Sequence, residues 1–173
     1  MRKSILILVL SLVLLLTFGI NVQAQSKEVT EPGTITYYAT AKILPLGEGR
    51  FHMYYDATGL SLIDTGGGLF HNATVRSLGG MTVEKGIYKD ERGWGVFNLQ
   101  NGDKAFFKYT YAGELNPKGM GVAKGVVTFA GGTGKAAGIQ GSFETTRYVP
   151  RSAIALEGVG LSYSKGTIKY ILP

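Results

Sequence analysis

The chain has 173 residues, of which 26 are glycine and none is cysteine, and its formal net charge is +6. Without cysteine it has neither disulfides nor thiolate metal sites, so packing and hydrogen bonds must hold it together. Its lysines and arginines stand singly between apolar positions rather than in a stripe, a pattern that argues against a nucleic-acid partner.

The first residues have the order of a secretory signal. Met1-Arg2-Lys3 is positive, Ile5 to Ile20 is almost wholly apolar, and Val22-Gln23-Ala24 offers small residues at cleavage spacing. Cleavage is predicted after Ala24, which gives a secreted or periplasmic protein with no membrane association once residues 1–24 are removed. The apolar run approaches the ~20 residues of a full span, so an uncleaved signal anchor is the alternative. Removing 24 residues from 173 leaves 149, the length of one domain with room for a real core. Taking Arg2 and Lys3 from the 18 basic residues leaves 16 against 12 acidic ones, a mature charge of about +4.

Residues 25–33 read as a flexible polar lead-in, and 34–173 as the domain. Thr34 to Ile43 alternates strictly, with Ile35, Tyr37, Ala39, Ala41 and Ile43 on one face and Thr34, Thr36, Tyr38, Thr40 and Lys42 on the other, the mark of a half-buried strand. After Pro45 to Gly49 a second strand sets Phe51, Met53, Tyr55 and Ala57 against His52, Tyr54, Asp56 and Thr58. Strands are predicted from Leu69 to Arg76, after Gly66-Gly67-Gly68, and from Met81 to Tyr88, after Gly79-Gly80. Gly93 to Leu99 follows. Asn101-Gly102 is the best short-range hairpin signal, since both residues tolerate the positive φ of a type I′ turn. On the return strand Lys104, Phe106, Lys108 and Thr110 face solvent while Ala105, Phe107, Tyr109 and Tyr111 face the core. The last strand is predicted over Ser164 to Ile171.

Between them lies Val126 to Phe143, a strand that enters a glycine-dense corner and leaves as another strand; five of the eleven positions from 131 to 141 lack a Cβ. Gly132-x-Gly134-x-x-Ala137 formally meets the dinucleotide pattern, but the helix that would carry a pyrophosphate is missing: at most one turn fits at Lys135 to Ala137. A Walker A loop fails at Phe129 and Ala136. The corner is therefore read as structural, with glycines at positive φ. Eight or nine short strands with glycine or asparagine turns predict an all-β chain closed as an antiparallel up-and-down β-barrel of about eight strands, with a two-sheet β-sandwich as the alternative.

Gly102-Asp103-Lys104, Lys124-Gly125-x-x-Thr128-Phe129, Gly131-Gly132-Thr133-Gly134-Lys135 and Gly138-Ile139-x-Gly141 resemble the second half of an allene oxide cyclase/dirigent-type barrel domain, over about residues 95–148. The resemblance implies an eight-stranded antiparallel barrel, often a homo-oligomer, around an apolar cavity. In that superfamily the cyclases isomerise a fatty-acid epoxide and the dirigent proteins orient phenoxy radicals. No motif carries an acting residue of either group onto this chain.

The inward aromatic residues Tyr37, Tyr55, Phe107, Tyr109 and Tyr111 converge if the barrel closes. Buried tyrosines need partners for their hydroxyls, so the set predicts a cavity, with Arg147 as its charged member. Alternation puts Arg147 with Phe143 and Thr145, where it could meet an anionic headgroup at a barrel mouth. No acid falls on the inward face of the strongest strands. His52, Tyr54 and Asp56 share an outward face, which makes a proton relay improbable, and His71 stands alone, so neither a metal nor a cofactor is expected. No Gly-x-Ser-x-Gly elbow suggests a hydrolase. Asn72-Ala73-Thr74 is a glycosylation sequon in a eukaryotic host only. The function expected is an exported barrel that holds a small apolar or aromatic ligand or serves as an interaction domain. An isomerase or cyclase acting on an apolar substrate in the cavity is the alternative.

Overall fold

The computed structural model describes residues 26–116, 119–150 and 159–173; the expected signal segment, residues 1–24, lies outside them. Eight strands run β1 (Lys27–Gly47), β2 (Arg50–Ile63), β3 (Thr74–Glu84), β4 (Ile87–Asn98), β5 (Lys104–Glu114), β6 (Gly121–Gly132), β7 (Ser142–Val149) and β8 (Val159–Leu172). Each pairs antiparallel with the next, and β1 closes on β8, so the sheet is an up-and-down barrel and the sandwich alternative is excluded. Closure removes the sheet edges, and eight strands leave an interior that side chains can nearly fill.

Alternation orients the strands as expected. Phe107, Tyr109, Phe129 and Phe143 are buried, Tyr37 and Met53 face inward and are partly buried, and Lys42, Lys104, Lys108 and Lys124 are exposed. Three expectations change. Residues 27–33 are not a lead-in: they belong to β1 and pair with Gly166 to Leu172 of β8, because closing the barrel needs a partner along that whole edge. The strands placed at 69–76 and 81–88 are one strand, β3, that runs through Gly79-Gly80, while residues 69–73 form turns ahead of it and Tyr88 belongs to β4. The two-residue positive-φ turn occurs at Lys85 (φ 49°) and Gly86 (φ 83°), between β3 and β4; at Asn101-Gly102 only the glycine takes positive φ.

The glycine corner is a clamp. Its single 3-10 turn, Gly134–Ala136, sits against the β4–β5 hairpin. The Lys135 N–H donates to the Asp103 carboxylate at 2.8 Å, and the Lys104 N–H donates to Thr133 Oγ1 at 2.9 Å. Gly134 stands at φ 50°, and a Cβ there would fall on the Asp103 carboxylate, so glycine is required for both conformation and contact.

One end of the barrel is plugged. Phe70, in the turns before β3, is fully buried with ring centroids 4.8 Å from Phe97, 5.4 Å from Phe129 and 5.3 Å from Tyr170. Glu31 of β1 ties this plug down: its buried carboxylate accepts the Leu69 N–H at 2.8 Å, the Phe70 N–H at 3.1 Å and the Tyr170 hydroxyl at 2.7 Å. Those two amides would otherwise lose water without replacement, at roughly 1–3 kcal/mol each. Among the described residues, the cavity lies toward the opposite end.

Candidate ligand cavity and its buried ion pair

A cavity of about 190 Å3 occupies that opposite half of the barrel. Its walls are mainly apolar, including Ala39, Ala41, Phe51, Met53, Met81 and Val127, and half-exposed Ile43 and Leu161 mark where it reaches the surface. Tyr37, Tyr55, Phe107, Tyr109, Tyr111 and Arg147 all lie on its wall.

Glycines set the positions of the aromatic rings. Tyr109 pairs with Gly93 and Phe107 with Gly95 across β5 and β4, and Gly93 pairs in turn with Gly79 of β3. A methyl group on Gly93 would overlap the Tyr109 hydroxyl end and the Leu78 carbonyl, one on Gly95 would enter the Phe107 ring, and one on Gly79 would strike the Tyr109 and Tyr55 hydroxyls. Rings from β5 therefore lie across the bare backbone of their neighbours, and Tyr109 reaches Tyr55 of β2, with 2.8 Å between their oxygens.

Bonded to two of the lining residues, Arg147 and Tyr55, is a buried acid that the sequence reading placed nowhere inside. Glu91 of β4 is fully buried and bonded to Arg147 of β7 through both carboxylate oxygens, with Nη1 to Oε1 at 2.7 Å and Nη2 to Oε2 closing the pair. Arg147 thus does not stand ready for an anionic headgroup at the mouth: its charge is matched inside the barrel. The Tyr55 hydroxyl also donates to Glu91. Arg147 Nη2 donates to the Tyr88 oxygen at 3.1 Å, and the guanidinium lies over the Tyr111 ring at 4.4 Å, a cation–π contact of the kind that gains strength when desolvated. Two opposite charges in a low-dielectric interior are tolerable only when paired and hydrogen-bonded, as these are.

The environment holds the phenols neutral. Burial pushes Tyr109 up to about 12. Burial also raises Tyr55, with the Glu91 charge adding to it, and raises Tyr37, Tyr88 and Tyr111. For Arg147 burial alone would lower the pKa, but the Glu91 carboxylate outweighs it and the result lies well above the ordinary value. Near neutral pH the cavity wall therefore carries protonated hydroxyls and the charged Arg147.

The other candidates stay apart from this site. His52 Nδ1 meets Thr82 Oγ1 at 2.9 Å on the outer face, Asp56 pairs with exposed Arg76 at 2.8 Å, and Tyr54 is exposed, so they form no relay. His71 Nδ1 accepts the Ile63 N–H at 3.2 Å. Among the described residues no cluster of three or more His, Asp or Glu could hold a metal ion. The sequence reading missed Glu91, Tyr88 and Met81. Counting back from inward Phe97 in steps of two passes Gly95 and Gly93 and reaches Glu91, a signal that the two glycines obscured. Comparison with protein-family models and with curated proteins finds no match to this chain.

Proposed function

We propose that this protein is an exported binding module that holds a small, largely apolar or aromatic molecule inside its barrel. The observation that carries this reading is the mainly apolar cavity of about 190 Å3 with a few polar groups in its lining, the composition expected of a ligand pocket. Its volume suits a one- or two-ring molecule, since an apolar cavity of about 150 Å3 takes benzene. The likeness of residues 95–148 to the allene oxide cyclase/dirigent barrels supports a ligand in the interior rather than on the outer wall.

Glu91 gives one specific reason to keep the isomerase or cyclase reading, because a cyclisation needs a directed polar group where charge develops. The bonding of Glu91 favours binding over catalysis: one carboxylate oxygen is held by Arg147 and Tyr55 and the other by Arg147. A general base must reach the proton it removes, and this carboxylate is already engaged on both oxygens.

Native mass spectrometry of the purified protein, followed by thermal-shift assays with one- and two-ring apolar compounds, tests the proposal. Binding by the natural sequence, lost when Ala57→Trp fills the cavity, is the expected result. No binding, or binding that survives Ala57→Trp in a protein that still folds, would overturn it. Turnover of an epoxide probe, abolished by Glu91→Gln, would instead establish the enzyme reading.

A further inference from the structure

The direction of the hydrogen bonds around the ion pair determines which protons remain for a ligand. A carboxylate can only accept, so the Tyr55 proton points to Glu91. With that proton committed, the contact between the Tyr55 and Tyr109 oxygens must be a donation from Tyr109. A guanidinium can only donate, so the Tyr88 oxygen accepts from Arg147 and its own proton is left over. Tyr37 also lines the cavity, and its hydroxyl makes no hydrogen bond with a described residue while remaining open to the cavity space. Tyr88 on β4 and Tyr37 on β1 are thus among the lining hydroxyls whose protons are left unused.

The charges are not available in the same way. Arg147, the member of the pair that lines the cavity, is already neutralised by Glu91 behind it, so a carboxylate entering the cavity would find no free counter-charge and an amine would sit beside a second cation. Either would lose its hydration without gaining a counter-charge. An uncharged acceptor oxygen has no such penalty and can accept from a free hydroxyl of the lining.

Resting on the binding reading above, we propose that the cavity selects an uncharged molecule presenting a hydrogen-bond-accepting oxygen, a ketone, ester or ether, to the Tyr37 and Tyr88 hydroxyls, and rejects carboxylates and amines. The ion pair acts here by positioning: it orients the phenolic protons and repels ionised guests.

Four probes on one two-ring frame test this by isothermal titration: indane, 1-indanone, indane-1-carboxylate and 1-aminoindane. One net hydrogen bond predicts that the ketone binds about five- to tenfold more tightly than the hydrocarbon, with carboxylate and amine weaker than both. In the double variant Tyr37→Phe/Tyr88→Phe the ratio of ketone to hydrocarbon affinity should fall close to one, with circular dichroism reporting whether the barrel persists. Equal binding of ketone and hydrocarbon to the natural sequence overturns the hydrogen-bond inference and leaves the binding module standing. Tightest binding by the carboxylate overturns the charge argument. Failure of all four to bind overturns this inference together with the binding reading.

Discussion

The ion pair between Glu91 and Arg147 allows a quantitative prediction. Replacing Arg147 by Met keeps much of the side-chain volume but removes both bonds to a carboxylate that is fully buried. The cost expected for stranding one partner of such a pair is about 3–5 kcal/mol. Glu91→Leu strands the guanidinium, which is only 13% exposed, and should cost a similar amount. The double variant Glu91→Leu/Arg147→Met removes both charges together and should lie within about 2 kcal/mol of the natural protein, because an apolar replacement of a buried pair is close to neutral. The two single losses would sum to about 6–10 kcal/mol, so the coupling should be several kcal/mol. Urea unfolding followed by far-ultraviolet circular dichroism measures all four corners of the cycle. Single variants within about 1 kcal/mol of the natural protein, or a double variant as unstable as the sum, would refute the claim that these charges are buried against each other.

Gly93→Ala should destabilise by about 1–3 kcal/mol through overlap with Tyr109 and the Leu78 carbonyl, whereas Gly67→Ala, with no atom within 4 Å of the new methyl, should be nearly neutral; denaturant midpoints compare them. Glu31→Ala should cost about 2–4 kcal/mol and speed hydrogen exchange at the Leu69 and Phe70 amides, which lose their acceptor. Six of the ten tyrosines, Tyr37, Tyr55, Tyr88, Tyr109, Tyr111 and Tyr170, have folded-state values raised above 10, mainly by burial. A raised value gives stability that is complete below the unfolded value near 10 and lost as pH rises above it. Spectrophotometric titration should therefore show the absorbance of these six appearing together with alkaline unfolding above about pH 10 rather than before it.

The barrel was legible where period two ran unbroken. In β1 and β5 the inward aromatic residues alternate mainly with threonines or lysines, and in β2 with His52, Tyr54 and Asp56, and closing the sheet brought Tyr37, Tyr55, Tyr109 and Tyr111 together as that pattern required. In β4 the pattern fails for a local reason. The pairing of β4 with β5 shifts register between Tyr88 and Glu91, so Lys89 and Asp90 both face out and two inward residues stand three apart. Such an irregularity re-aims side chains without a sequence marker of its own, and here it breaks the count from Tyr88 to Glu91, while Gly93 and Gly95 obscure the count back from Phe97. Gly79-Gly80 misled in a similar way. Read locally they suggest a turn, but the sheet uses Gly79 as the bare floor beneath the Tyr55 and Tyr109 hydroxyls, a requirement set by other strands.

The seam between β1 and β8 governs how the chain can reach this state. It pairs Lys27 with Leu172 and continues in register to Thr40 with Val159, so it joins the two ends of the domain and no partial chain can form it. Contacts of such sequence separation put folding toward the slow end, on the order of milliseconds to seconds. During synthesis the successive hairpins from β2 to β6 can assemble as they emerge, since each strand pairs with the next in sequence. Their inward face, with Phe97, Phe107 and Phe129, nevertheless stays wet until β8 arrives. The last step of folding is then a ring closure, and a chain delayed before it exposes both a large apolar surface and two unpaired strand edges, the features that promote self-association.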